Sequence, residues 1–301
     1  PVTVRGIYIK LTAALAPLLF FGMWRGGTPV VMTFLVALAT GAVAEFLVDL
    51  FRTGAVTSSP VKNGRVLYLM ALLVVLVPAN TSPIVVAIAA AAAVLLGVYM
   101  MGDTGVYYVH PVFIGLLVVA GGGVTTVPIG EPAALASLTQ IVADSAIYQN
   151  LTDSVFAPLG MRVPPEALAL FINVGDIGAV SIGAALFPPL FLGALIIFGE
   201  DLVPPTVVVT FLLGVVSVLF FTDADIIDVL VRSNVLVVLV FALADPAVRP
   251  MRAVSMVIFG GASGVLSAVL LVTAGAAVPV ITGVVLVATL RPLLDQVLRR
   301  R

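Results

Sequence analysis

The sequence predicts an all-α membrane protein of about ten transmembrane helices, arranged as two inverted five-helix repeats. Three observations lead there. Of the 301 residues, 61% are hydrophobic and only 10% charged, with a mean hydropathy of +1.26, whereas a soluble domain carries about 25% charge. Apolar stretches near the ~20 residues needed to cross a bilayer recur along the whole chain. A segment of the first half, NGRVLYLMALLVVLVPANTSP, also returns in altered form as SNVLVVLVFALADPAVRP in the second.

Charged residues, prolines and glycines divide the apolar stretches. They place spans near 7–23, 29–51, 65–80, 84–101 and 111–124, then 177–198, 205–222, 229–243, 251–273 and 275–296. The expected organisation is a first repeat over 1–124, an outer interfacial segment over 125–165 and a second repeat over 166–301. Five spans per half is an odd number, so the second half enters the membrane from the opposite side, and inverted repeats build their sites where broken helices meet.

Lys and Arg orient the bundle, because cytoplasmic loops are enriched in them. One side collects Arg5, Lys10, Arg52, Lys62, Arg65, Arg249, Arg252, Arg291, Arg299, Arg300 and Arg301; the other keeps Arg25, Arg162 and Arg232. Both termini are therefore expected in the cytoplasm and the 125–165 segment outside, in a prokaryotic inner membrane. PVTVRGIYIK and the apolar run after it show no convincing cleavage site.

Composition also excludes chemistry. The formal charge of −1 offers no basic stripe to nucleic acid. The chain has no cysteine and one histidine, so thiolate catalysis, Cys-ligated clusters and multi-histidine metal centres are ruled out. Acids stand mostly at predicted helix ends. Glu45 is the exception, a turn or more inside its span and near Asp49 and Arg52, so it is either interfacially paired or an ion-path residue. Asp245, in FALADPAVRP, lies beside Arg249 and Arg252. It forms a wet ion cluster if exposed, and a cofactor or ion-path candidate if drawn inside. NVGDIG places Gly175 and Gly178 around Asp176 at the mouth of a span, where backbone donors can meet an anion or a cofactor edge. The other glycine-rich piece, FGGASG at 259–264, reads as helix packing.

The order of these landmarks resembles the integral membrane subunits of Rnf and sodium-pumping NADH:quinone reductase complexes, the RnfD/NqrB-like proteins. The resemblance runs from AEFLVDLFR to RPLLDQ. Asn63-Gly64 stands where that family has Asp-Gly, and His110-Pro111-Val112 where it has Asn-Pro-Ala. Gly175, Gly178 and Ser181 match a Gly-x-x-Gly-Glu-Thr-Ser element in which Ala179 and Val180 replace Glu and Thr. Ala244-Asp245-Pro246 corresponds to Thr-Asp-Pro, and Pro292-Leu293-Leu294-Asp295 to the closing Pro-Leu-Ile-Asp.

The resemblance implies a fold shared with urea and ammonium channels, and FMN carried through a phosphoester on an outer threonine in a Ser/Thr-Gly-Ala-Thr pattern. Here the region reads ADSAIYQNLTDSVFAPLG, without Gly-Ala-Thr. Thr152 is the nearest threonine, and Thr125 and Thr126 are further candidates. Thr152, Thr125, Thr126, His110, Gly175, Asp176, Gly178 and Asp245 form the implied flavin-contact set, with Tyr107, Tyr108, Phe113, Tyr148 and Phe156 as neighbouring aromatics. Glu45 and Asp245 are the ion-path candidates. The implied function is a subunit relaying electrons through FMN or another flavin and helping couple them to Na⁺ or H⁺ movement. Its partners would be other membrane subunits and a flavin- or iron–sulfur-bearing redox subunit, with quinone a further candidate. The alternative is a non-redox channel, transporter or scaffold subunit of the same fold.

Overall fold

The computed structural model describes residues 3–53, 64–78, 81–100, 102–103, 106–107, 109–121, 143–144, 146–158, 165, 187–200, 202–222, 226, 230, 234–243, 245–250, 252–274 and 284–288. The first element, α1 (Val4–Thr53), is a helix interrupted at Gly27, whose φ of 60° and ψ of −144° are open only to glycine. The interruption reverses the chain. In a straight helix Tyr8 and Glu45 would lie about 55 Å apart at 1.5 Å per residue. Yet Tyr8 stacks on Tyr68 with ring centroids 5.8 Å apart, and Glu45 pairs with Arg65, less than one turn away on the same helix. The arms 4–26 and 28–53 are thus a tight hairpin. Each arm is about 35–40 Å long, enough to cross ~30 Å of hydrocarbon.

The next helix, α2 (Arg65–Leu76), starts from Gly64 in the left-handed conformation, φ 71°. All but one of its residues are buried, as befits a helix that is apolar on every side. Pro83 opens α3 (Pro83–Ala92), which widens into a π-helical stretch, Ala93–Met100. A short antiparallel pair, β1 (Gly102–Asp103) and β2 (Val106–Tyr107), turns the chain into α4 (Pro111–Gly121). After it α5 (Ala146–Leu151) runs into a π turn, Thr152–Phe156.

In the second half, α6 (Phe187–Gly199) lies against the first arm of α1, and Lys10 forms a half-exposed ion pair with Glu200 just beyond its end. Helices α7 (Pro205–Phe220) and α9 (Ala253–Ala274) pack along each other through glycine. A Cβ on Gly264 would sit 2.2 Å from the Phe211 carbonyl oxygen, so the GGASG stretch is a close helix contact, as expected. Between them, α8 (Val235–Val237) continues as a π-helical segment, Val238–Leu243, whose residues are all buried.

The two halves enter their central helices alike. Asn234 precedes α8 with φ 60° and ψ 5°, nearly the conformation of Gly64 before α2, 170 positions earlier. It is the sole described non-glycine residue with positive φ. Pro83 and Ala253, which open the helices that follow, are also 170 positions apart.

A buried core surrounds α2 and the 238–243 segment. The outer faces carry Phe20, Trp24, Ile84, Leu213 and Phe220, each more than 60% exposed, an apolar exterior suited to lipid. Among the described residues three helices are long and apolar enough to cross a membrane: Val4–Arg52, Pro83–Met100 and Ala253–Thr273. Shorter apolar helices accompany them at Arg65–Leu76, Pro111–Gly121, Pro188–Gly199 and Pro205–Phe220.

Candidate functional site

The site is built where the chain breaks its helices. His110 precedes a proline, which disfavours helical backbone at His110 and opens α4 at its first position. The imidazole then caps α4: Val112 N–H donates to His110 Nδ1 at 3.3 Å. An imidazole whose Nδ1 accepts is left with Nε2 as the ring nitrogen able to carry a proton. Nε2 faces Asp245 Oδ2 at 3.4 Å, with the two side chains 0% and 2% exposed.

Asp245 is fixed just as locally. Its Oδ1 accepts the Ala247 N–H at 2.8 Å, an Asx turn that Pro246 favours. Its backbone carbonyl accepts from Val248 N and Arg249 N at 3.0 and 3.1 Å. The Ala247 carbonyl in turn accepts the Tyr107 N–H at 2.9 Å, tying the β1–β2 turn to the Asp-Pro turn. That cover is why Asp245 is dry although it stands at a helix end. Of the two sequence expectations for Asp245, exposed cluster or buried carboxylate, the second holds; Arg252 is exposed.

Around this pair runs a buried polar seam. The Tyr68 hydroxyl donates to the Phe241 carbonyl, one of the acceptors freed near a helix end. The Tyr68 ring stands edge-on to His110, centroids 6.3 Å apart, and Phe113 covers His110 at 5.4 Å. The Tyr8 and Tyr107 hydroxyls are 3.4 Å apart. Arg65 donates to Glu45 and lies 3.4 Å from the Tyr99 hydroxyl. Arg52 lies 5.3 Å above the Tyr99 ring. Glu45 is therefore paired with Arg65 of α2, and not through the interfacial Asp49–Arg52 neighbourhood that its own helix suggested. Among the described residues the buried or half-buried charged groups of the seam include Glu45, Asp245, Arg65 and Arg249. Three of its contacts join the halves: Tyr68 to Phe241, Tyr107 to Ala247, and His110 to Asp245.

Of the other sequence candidates, Thr152 lies in the π turn after α5, half-buried, its Oγ1 without a hydrogen-bond partner among the described residues. No described contact brings it to His110 or Asp245. Tyr107 and Phe113 belong to the seam. Thr125, Thr126, Gly175, Asp176 and Gly178 lie outside the described residues. Tyr8, Arg65 and Tyr68 were missed from sequence. Their signal was present: Arg65 and Tyr68, three apart, share one face of an otherwise apolar helix.

Apolar helices around a dry, ionisable interior define a multi-pass membrane protein with an internal polar site. The sequence profile of the NQR2, RnfD, RnfE family matches residues 1–301, and the chain belongs to that family. It is thus a membrane subunit of Rnf/Nqr-type complexes. No characterised protein was matched by its sequence.

Proposed function

We propose that this subunit relays electrons through a bound flavin and helps couple them to the movement of Na⁺ or H⁺ across a prokaryotic inner membrane. The observation that carries the coupling half of this reading is the His110–Asp245 pair. Buried ionisable groups are costly in a membrane interior and are found where ions or protons are handled. The shared left-handed entries at Gly64 and Asn234, with the common 170-residue spacing, support two inverted five-helix repeats and a channel-like bundle meeting at the seam. The seam gathers Arg65 and Arg249 near Lys10's end of α1, which supports a cytoplasmic location for this end and for both termini.

For the flavin, Thr152 is the residue of choice. A phosphoester to FMN needs a hydroxyl, and Thr152 Oγ1 is a hydroxyl with no competing hydrogen bond among the described residues. The altered neighbours, with no Gly-Ala-Thr, define what an attaching enzyme would have to accept. A flavin supplies one- and two-electron chemistry that side chains lack; this chain holds and positions it. Electrons come from partner subunits bearing flavin or iron–sulfur groups, since the chain has no cysteine.

Intact mass measurement of the subunit purified with its complex tests this reading. The expected result is an FMN-sized adduct that disappears in Thr152→Ala (T152A). Absence of both an adduct and flavin absorbance removes the redox role and leaves a channel, transporter or scaffold subunit.

A further inference from the structure

We infer that the turn of the α1 hairpin is a lipid-binding surface: Trp24 and Arg25 dock on the headgroups of anionic phospholipids, and Phe20 enters the acyl chains beneath them. The contact lies on the outside of the bundle and depends on neither the flavin nor the seam.

The backbone sets its depth. Gly27, at φ 60° and ψ −144°, breaks the helix between the two arms, and a helix break frees N–H and carbonyl groups from their intrahelical partners. Hydrocarbon offers such groups no replacement, whereas headgroups and their water do. Trp24, Arg25, Gly27, Thr28 and Pro29 are all exposed, so the turn is open to what surrounds the bundle. Arms of about 35–40 Å carry it past the edge of ~30 Å of hydrocarbon. Towards the other end of the first arm, Lys10 pairs with Glu200. Lys10 and Arg25 stand about 22 Å apart along the axis, so one is answered by protein and the other faces outward at the opposite end.

The side chains match that depth. Phe20 and Trp24, 66% and 71% exposed, lie four residues apart on one face of the arm. They stand about 10 and 5 Å below Gly27 along the axis. Phe21 braces both edge-on, its ring centroid 5.7 Å from Phe20 and 5.9 Å from Trp24. Indole joins an apolar face to a donor N–H, which is why tryptophan collects at membrane interfaces. The guanidinium of Arg25, next along the chain, has the fork that pairs with a phosphate through two parallel hydrogen bonds. A neighbouring protein helix fits this face less well. Helices meet in membranes through small residues, as α7 and α9 do at Gly264, whereas the face below the turn presents two large rings.

Trp24 is the sole tryptophan of the chain, so its fluorescence in the full chain reports the turn alone. In lipid nanodiscs, phospholipids brominated near the headgroup should quench it more strongly than those brominated near the chain ends. Equal quenching by both, or none, overturns the inference. Spin-labelled phosphatidylglycerol should associate with the Trp24 site about fivefold more tightly than spin-labelled phosphatidylcholine, the ~1 kcal/mol that one basic residue gains at an anionic surface. That preference should vanish in Arg25→Gln (R25Q). Its absence from the parent, or its survival in R25Q, overturns the inference. In the whole complex in its native membrane, photoreactive benzoylphenylalanine in place of Trp24 should crosslink to phospholipid and add a lipid mass to this subunit. Crosslinking to another subunit, or to another part of this chain, shows that protein covers the turn and overturns the inference. A chain without flavin gives the same results, so failure here and failure of the redox reading are separate outcomes.

Discussion

Replacing Glu45 by alanine (E45A) tests whether the seam is dry enough for its charges to depend on each other. The Glu45 and Arg65 side chains are 1% and 7% exposed. For opposite charges about 4 Å apart, an effective dielectric near 20 gives an attraction of about 4 kcal/mol. Removing one partner of a buried pair typically costs about 3–5 kcal/mol, because the other charge is left unpaired. Arg65 keeps the Tyr99 hydroxyl and ring face, so E45A should lie at the low end, about 3 kcal/mol. Replacing both partners by apolar residues, Glu45→Leu with Arg65→Met, should recover most of that loss. Lys10→Ala breaks the Lys10–Glu200 pair, whose side chains are 44% and 46% exposed, and should cost under about 1 kcal/mol. The assay is reversible unfolding of the purified chain in mixed micelles as the dodecyl sulfate fraction rises, followed by far-ultraviolet circular dichroism. An E45A variant as stable as Lys10→Ala, or a double variant no better than E45A, would refute the dry-seam reasoning.

Two further outcomes follow from backbone geometry in the same assay. Gly264→Ala puts a Cβ 2.2 Å from the Phe211 carbonyl oxygen and should cost about 1–3 kcal/mol through overpacking. Gly199→Ala, with nothing within 4 Å of the new atom among the described residues, should stay within about 0.5 kcal/mol of the parent. At Asn234, φ 60°, valine should be about 1–2 kcal/mol less stable than glycine. Both variants remove the asparagine side chain, so their difference reports the backbone alone; equal stabilities would show that the left-handed entry is not a constraint.

The periodic and compositional features were legible in the sequence. Each long apolar run contains a described helix, the break between 23 and 29 is Gly27, and the similarity between NGRVLYLM and SNVLVVLV reappears as matching left-handed entries. Glycine, proline and uninterrupted hydrophobicity act locally, so a one-dimensional reading captures them. Partnerships across the fold were not legible. Asp49 and Arg52 drew attention for Glu45 because they share its helix, while the true partner is fixed by how α2 lies against the α1 hairpin. Asp245 at a helix end suggested solvent nearby; only the Tyr107–Ala247 hydrogen bond shows what covers it. Tyr68 drew no notice, because its acceptor, the Phe241 carbonyl, is a backbone atom that no side-chain pattern announces.

The three seam contacts between the halves also impose a schedule on synthesis. Tyr68 and its acceptor are 173 residues apart in the chain, and His110 leaves the ribosome well before Asp245 exists. At about 5–20 residues per second, the first half waits on the order of ten seconds with a histidine and a tyrosine hydroxyl still lacking their final partners. The α1 hairpin and its ion pair to Arg65 use only the first 65 residues and can close early. The nascent first half must therefore keep its far polar groups hydrated at the membrane surface, or shielded by the insertion machinery, until the Asp-Pro turn arrives to relieve it.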